Sequence, residues 1–203
     1  MNKLKVLEAK FYDHYPTGFD CEEMKAVEKK HKLEKFVEQT HERFSVEAFE
    51  STDVIESFYK LINASTLVSR FEKPAFKNFI SIISDVEKEL LKEGLFEYLH
   101  GNEEKGFNLL VEVMTAYKVA KWPILTVLKG YYYPQEDLII KPTTVKKILK
   151  YFEVTDIHYT SKPNYQFYVA YRVFLNNIKK EASKGVKPNN PAFSGFLMMM
   201  IED

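Results

Sequence analysis

Cysteine and glycine are scarce in this 203-residue chain, and long apolar runs are missing. The single Cys21 cannot form an intramolecular disulfide, and no paired Cys-x-x-Cys arrangement is present to hold zinc. Only 7 glycines occur, and none forms a phosphate-binding loop or a dinucleotide-binding fingerprint. The sequence therefore predicts no metal and no cofactor, and it argues against a nucleotide-dependent enzyme of a standard kind.

The chain also lacks the signals that direct a protein into or across a membrane. No apolar segment is long enough to span a bilayer, and residues 1–15 are charged throughout without the apolar core of a signal peptide. A chain with one cysteine suits a reducing compartment. We therefore expect a cytoplasmic protein without a membrane-embedded part.

The chain has no net charge, but its charged residues are unevenly distributed. The 29 basic residues balance the 29 acidic residues, so no global field steers the protein towards nucleic acid. Residues 129–187, however, contain 11 Lys or Arg and 5 Asp or Glu, which gives this region a net charge of +6. Most of the chain's basic excess therefore lies in its C-terminal third.

Helical periodicity is the main pattern in what the chain does contain. Residues 20–44 predict one long helix with a narrow apolar stripe, and Asp53 is placed to cap the next helix. Residues 76–91 are the most apolar stretch of the first half and predict a central core helix. Trp122-Pro123 is interpreted as a helix end, because proline disfavours helical geometry in the residue before it.

These patterns predict an all-α fold, or nearly so, in the form of an irregular, orthogonal multi-helix bundle. We expect one domain over residues 1–203, and residues 129–140 are the one place where a subdomain boundary could fall. Within that link, the β-prone run 138–140 predicts a very short β contact.

The basic, aromatic region 129–187 is the first candidate for function. Aromatic rings can stack on unpaired bases while basic groups meet phosphates, so this composition suits a nucleic-acid surface. The other interpretation is a core stripe of Phe167, Tyr171 and Phe174 behind an ordinary solvated face of lysines. Both interpretations stay open at this level.

A helix start near Lys141-Pro142 is the second candidate, because free N–H groups and the helix dipole favour an anion there. Thr143 or Thr144 is predicted to cap this helix. The candidate residues for an anion or nucleic-acid site are Lys141, Thr144, Lys146, Lys147, Lys150 and Arg172.

Residues 122–203 resemble a group of uncharacterised bacterial α-helical proteins. The shared patterns, in order, are Trp122-Pro123, Tyr133-Pro134, Lys141-Pro142 with Thr144 and Lys146, and Pro163-Asn164-Tyr165 with Tyr168. Tyr165 departs from the group, in which a tryptophan is expected. The resemblance implies a helical protein of bacterial type, and it implies no reaction, cofactor or catalytic residue.

The sequence therefore favours a non-catalytic binding or regulatory protein whose partner is an unknown protein or nucleic acid. An enzyme of unknown reaction is the further alternative. It would need acidic or histidine side chains from residues 1–128 to meet Lys141 or Lys146 in one pocket. No catalytic residue can be assigned from the sequence.

Overall fold

The computed structural model describes residues 2–202, which form twelve α-helices and two short 3-10 helices. The α-helices are α1 (Lys3–His14), α2 (Glu22–His31), α3 (Leu33–Arg43), α4 (Ala48–Ser51), α5 (Val54–Ala64), α6 (Lys73–Ile82), α7 (Asp85–His100), α8 (Glu103–Ala116), α9 (Trp122–Tyr132), α10 (Pro142–Tyr151), α11 (Tyr165–Glu181) and α12 (Asn190–Met200). The 3-10 helices are Gly18–Asp20 and Lys184–Val186. No strand occurs in these residues, so the all-α prediction is confirmed.

Two helices replace the long one predicted over residues 20–44. Lys32 adopts the left-handed conformation, with φ of 53°, and separates α2 from α3. This conformation ends α2 at His31, and the backbone N–H of Lys32 donates a hydrogen bond to the carbonyl of Glu28. The chain therefore changes direction at Lys32, inside the segment predicted as one helix. Residues of α2 line one wall of a cavity.

The predicted central helix over residues 76–91 is also divided. Ser84 and Glu87 form a capping box that starts α7, so α6 ends at Ile82. Ile82 and Val86 are exposed, at 55% and 71% of their surface. The apolar stretch therefore does not form the centre of the core.

That position belongs to α9, in which all eleven residues are buried. Trp122 begins this helix, whereas the sequence suggested that it ends one, because Pro123 occupies the first turn, where its missing N–H removes no bond. The indole Nε1 of Trp122 donates a hydrogen bond to the carbonyl of Thr160 at 2.7 Å. A helix that is apolar on every side is surrounded by the others.

The β contact predicted at residues 138–140 is wrong within the part of the chain that the structure describes. This segment is buried but unpaired with any strand, and the N–H of Ile140 donates to Oγ1 of Thr126 at 2.9 Å. A side chain at Gly130 would lie 2.4 Å from Cγ1 of Ile139, so the glycine lets the segment pass close over α9. Contact with a helix replaces the strand partner.

The buried apolar side chains form one cluster that runs from Leu4 in α1 to Ile201 after α12. Phe11 of α1 meets Phe196 of α12 edge to face, with ring centroids 5.1 Å apart. Among residues 2–202, no helix has both the length and the apolar character to cross a membrane.

Candidate functional site

Five of the six predicted anion-binding residues lie on α10 or at its N-cap. Lys141 is its N-cap, and no side chain caps the helix, so the predicted cap at Thr143 or Thr144 is wrong. The helix begins at Pro142, as the sequence predicts, so the N-cap position is occupied by Lys141 and not by a threonine. Lys141 and Thr144 both line a cavity, which is described below.

The three later lysines lie along α10, outside that cavity. Lys146 and Lys150 are exposed, and Lys147 is half-buried. The ammonium of Lys146 lies 4.9 Å from the centroid of the Tyr159 ring, in a cation–π contact. These three lysines therefore share one helix and lie outside the cavity that Lys141 and Thr144 line.

Five of the eleven aromatic side chains of region 129–187 are buried in the core, and the other six are partly buried against it. Tyr131, Tyr168 and Tyr171 are at most 2% exposed. Phe167 stacks on Tyr171 at an interplanar angle of 5° inside the protein. A nucleic-acid surface here would depend on the lysines of α10 and not on these buried rings, and such a role stays a prediction.

Arg172, the sixth predicted residue, lies on α11 and is bound by carboxylates. Its Nη1 donates to Oε1 of Glu103 at 2.5 Å and to Oδ1 of Asp137 at 2.7 Å, and its Nη2 donates to Oε2 of Glu103 at 2.9 Å. Lys129 from α9 donates to Oε1 of Glu103 at 2.6 Å. We call the following residues the Glu103 cluster: Glu103, Lys129, Asp137, Tyr165, Tyr168 and Arg172.

The charges of the Glu103 cluster compensate each other. Burial opposes ionisation of Glu103, but hydrogen bonds from Arg172 and Lys129 outweigh it and lower its pKa to about 2. Despite the opposing effect of burial, the hydrogen bonds and charges of Glu103 and Asp137 raise the pKa of Arg172. Two cations meet two anions, so the cluster joins α8, α9 and α11 as a fixed structural element.

A cavity of about 260 Å³ lies between α2, α9, the start of α10, and α12. We call it the apolar chamber. Its apolar lining consists of Phe19, Met24, Val27, Leu33, Leu67, Tyr131, Ile139, Pro191, Ala192, Met198 and Met199. Gly195 also lines it, and a methyl group added there would meet no atom within 4 Å, so space is open beside this residue. Methionine side chains adapt to ligands of different shape.

Polar side chains converge on one side of this chamber. Glu28 and His31 from α2 line it together with Lys141 and Thr144. Burial raises the pKa of the Glu28 carboxyl, helped by the charges of Glu34 and Asp20. Burial also lowers the pKa of His31, assisted by the positive charge of Lys141, so the imidazole is largely neutral at pH 7.

Some polar side chains of the apolar chamber have a hydrogen-bond partner and others have none. Nδ1 of His31 lies 2.7 Å from Oγ1 of Thr66 in a hydrogen bond. The carboxylate of Glu28 and the ammonium of Lys141 make no hydrogen bond or ion pair within residues 2–202. A bound molecule would therefore find a donor and an acceptor that no protein group occupies.

A second cavity, of about 450 Å³, adjoins the first at the start of α10. We call it the polar chamber. Leu67, Lys141, Thr144 and Met198 line both cavities. The remaining lining of the polar chamber is Thr66, Val68, Ser69, Glu72, Pro123, Pro142 and Thr143.

Glu72 is the one acidic residue of the polar chamber. Its Oε2 is buried and has no hydrogen-bond partner in the described part of the chain. Burial raises the pKa of this carboxyl, although the backbone N–H of Ser69 and the charge of Lys121 act in the opposite direction. Buried polar atoms are usually satisfied, so this oxygen requires an explanation.

The site therefore joins residues that the sequence suggested to residues that it did not. Lys141 and Thr144 were candidates, whereas Glu28, His31 and Glu72 come from the first 128 residues. Glu28 and His31 line the apolar chamber together with Lys141, and Glu72 lines the polar chamber together with Lys141. In the sequence, Glu28 and His31 stand three apart on one helix face, which is the only local signal for them.

No known protein family matches this chain, and neither a curated protein nor a solved structure does. The resemblance of residues 122–203 to a group of bacterial helical proteins therefore stays an expectation.

Proposed function

We propose that this protein is a non-catalytic binding protein that holds a small, largely apolar molecule in the apolar chamber. The observation that carries this proposal is a cavity of about 260 Å³ whose lining is mostly apolar and also includes the side chains of Glu28 and Lys141, which form no ion pair. Binding sites for small molecules have this composition, with a mostly apolar lining and a few polar groups that orient the ligand.

The size of the chamber supports the proposal. A dry apolar cavity of about 150 Å³ is already sufficient to bind benzene. The chamber exceeds that volume, and Gly195 leaves its wall free of a side chain on α12. An apolar ligand would contact Met24 and Met198, which both line the chamber.

The direct test uses two substitutions at one position. Gly195→Leu places a side chain in the chamber, while Gly195→Ala adds only a methyl group in open space. The probe is 8-anilinonaphthalene-1-sulfonate, an apolar anion whose fluorescence rises in apolar surroundings. We expect the native protein and Gly195→Ala to bind it with 1:1 stoichiometry and to be stabilised by it, because a ligand of the folded state alone raises stability.

We expect Gly195→Leu to lose at least tenfold in affinity for the probe. Circular dichroism at 222 nm would establish that both variants stay folded. Equal binding by the two folded variants, or no binding by the native protein, would contradict the proposal.

An enzymatic use of the same chamber is the second candidate, and the convergence of Glu28 and His31 on Lys141 favours it. A neutral imidazole can act as a general base at pH 7. Conversion of a bound ligand to product that stops in His31→Gln, with ligand affinity retained, would establish this use. Unchanged ligand after prolonged incubation would leave the binding function.

A further inference from the structure

The lining of the polar chamber includes one cation and one anion, and neither forms an ion pair with a protein group among the described residues. Lys141 offers an ammonium group, and the backbone N–H groups of Thr143 and Thr144 lie unbonded in the first turn of α10 among the described residues. Glu72 offers a carboxylate with one buried, unpaired oxygen. The chamber is thus equipped for a molecule that carries both a negative and a positive group.

We propose that the ligand is a free α-amino acid with a large apolar side chain. Its carboxylate contacts Lys141 and the N–H groups at the start of α10, its ammonium contacts Glu72, and its side chain lies in the apolar chamber. This inference rests on the proposed binding function and specifies the chemical class of the ligand.

The adjacency of the chambers provides the geometric reason. An α-amino acid carries its two charges on one carbon atom and its side chain on the same atom. Leu67, Lys141, Thr144 and Met198 line both chambers, so a molecule centred there reaches both. The apolar side chain would then extend towards Met24 and Gly195, where the space is open.

Charge complementarity separates a zwitterion from simpler ligands. A carboxylic acid without an amine would pair with Lys141 but leave the Glu72 oxygen without a hydrogen-bond partner. An amine without a carboxylate would leave the N–H donors of α10 without one. A buried polar group without a partner costs free energy, so a site built for two such groups discriminates against a ligand that lacks one. A peptide with the same N-terminal residue lacks the α-carboxylate, so we favour the free amino acid.

The experiment compares two matched ligand series by isothermal titration calorimetry on the native protein. The first series is L-phenylalanine, 3-phenylpropionate, 2-phenylethylamine and L-phenylalanine amide. The second is L-leucine, 4-methylpentanoate, 3-methylbutylamine and L-leucine amide. We expect the amino acid of at least one series to bind at least tenfold more tightly than its three analogues.

Two variants assign the charges. Glu72→Gln should abolish the preference for the amino acid over the acid, and Lys141→Gln should abolish the preference over the amine. The matched controls are Glu112→Gln, on the exposed face of α8, and Lys146→Gln, on α10 outside both chambers. We expect both controls to keep the native ligand order.

Each outcome decides between the two proposals. If in both series an acid, an amine or an amide binds as tightly as its amino acid, the zwitterion inference is wrong while the binding function stands. The inference is also wrong if neither amino acid binds while 8-anilinonaphthalene-1-sulfonate binds in the manner that Gly195→Leu prevents. If that probe does not bind either, the binding function itself is refuted. Because the ligand series uses the native protein, the result does not depend on the folding of any variant.

Discussion

Replacement of Glu103 by glutamine should destabilise the protein in a pH-dependent way. The pKa of this carboxyl is about 2 in the folded protein, against an ordinary value of 4.5. The difference corresponds to about 3 kcal/mol of stability at pH 7. Because the folded pKa is the lower one, this stability is present above pH 4.5 and is lost as the pH falls towards 2. At pH 3.5 about 2 kcal/mol of it should remain.

The assay is urea unfolding followed by circular dichroism, for the native protein and Glu103→Gln, at pH 7 and pH 3.5. We expect the difference in the free energy of unfolding between the two proteins to shrink by about 1 kcal/mol from pH 7 to pH 3.5. Titrating groups that do not interact with Glu103 or its partners cancel in this difference. The control Glu104→Gln removes a neighbouring exposed carboxylate and should change stability by less than about 0.5 kcal/mol at either pH.

A difference for Glu103→Gln that is the same at both pH values would refute the reasoning. It would show that Arg172 and Lys129 do not hold this carboxylate in its ionised form. A large effect of Glu104→Gln would instead point to the charge of the α8 N-terminus as a whole.

Three further substitutions test the packing, each by urea unfolding at pH 7. Gly106→Ala should cost about 1–3 kcal/mol, because its Cβ would lie 2.1 Å from the backbone nitrogen of Tyr98 and would force α7 and α8 apart; unchanged stability would mean that the two helices separate readily. Ser84→Ala should cost about 1 kcal/mol through loss of the capping box, whereas Ser84→Gly should cost only a few tenths; equal costs would exclude the cap as the cause. Tyr131→Phe should cost about 1–2 kcal/mol because it removes the buried 2.8 Å hydrogen bond to Ser65, and no loss would mean that Ser65 is satisfied without it.

Local signals in the sequence account for the elements that were predicted well. Asp53 caps α5 as expected, and its side chain accepts the N–H of Glu56. Asn164 caps α11 in the same way, through the N–H of Phe167. These features involve residues two or three apart, so a single sequence contains all the information that they require.

The errors arose where distant contacts decide the outcome. Lysine has no preference for the left-handed conformation, so the sequence does not predict it at Lys32. Lys32 nevertheless adopts it and divides a predicted helix. Trp122-Pro123 allows two opposite predictions. A residue before proline disfavours helical geometry, which predicts a helix end, whereas proline is favoured in the first turn, which predicts a helix start.

The cavities were beyond prediction for a related reason. Their walls combine α2, the segment before α6, α9, the start of α10, and α12, which are far apart along the chain. Arg172 is a predicted site residue that the fold removes from the candidates. Its charge made it a candidate for an anion site, but only the fold reveals that Glu103 and Asp137 already bind it.

The complete burial of α9 has a consequence for how this protein exchanges hydrogen with water. The central amides of α9 can meet solvent only when the surrounding helices come away, so we expect their exchange to follow global unfolding and to be among the slowest in the chain. Tyr131 belongs to this helix and also lines the apolar chamber. Occupation of the chamber should therefore slow deuterium uptake along α9, even though the ligand contacts only one end of it.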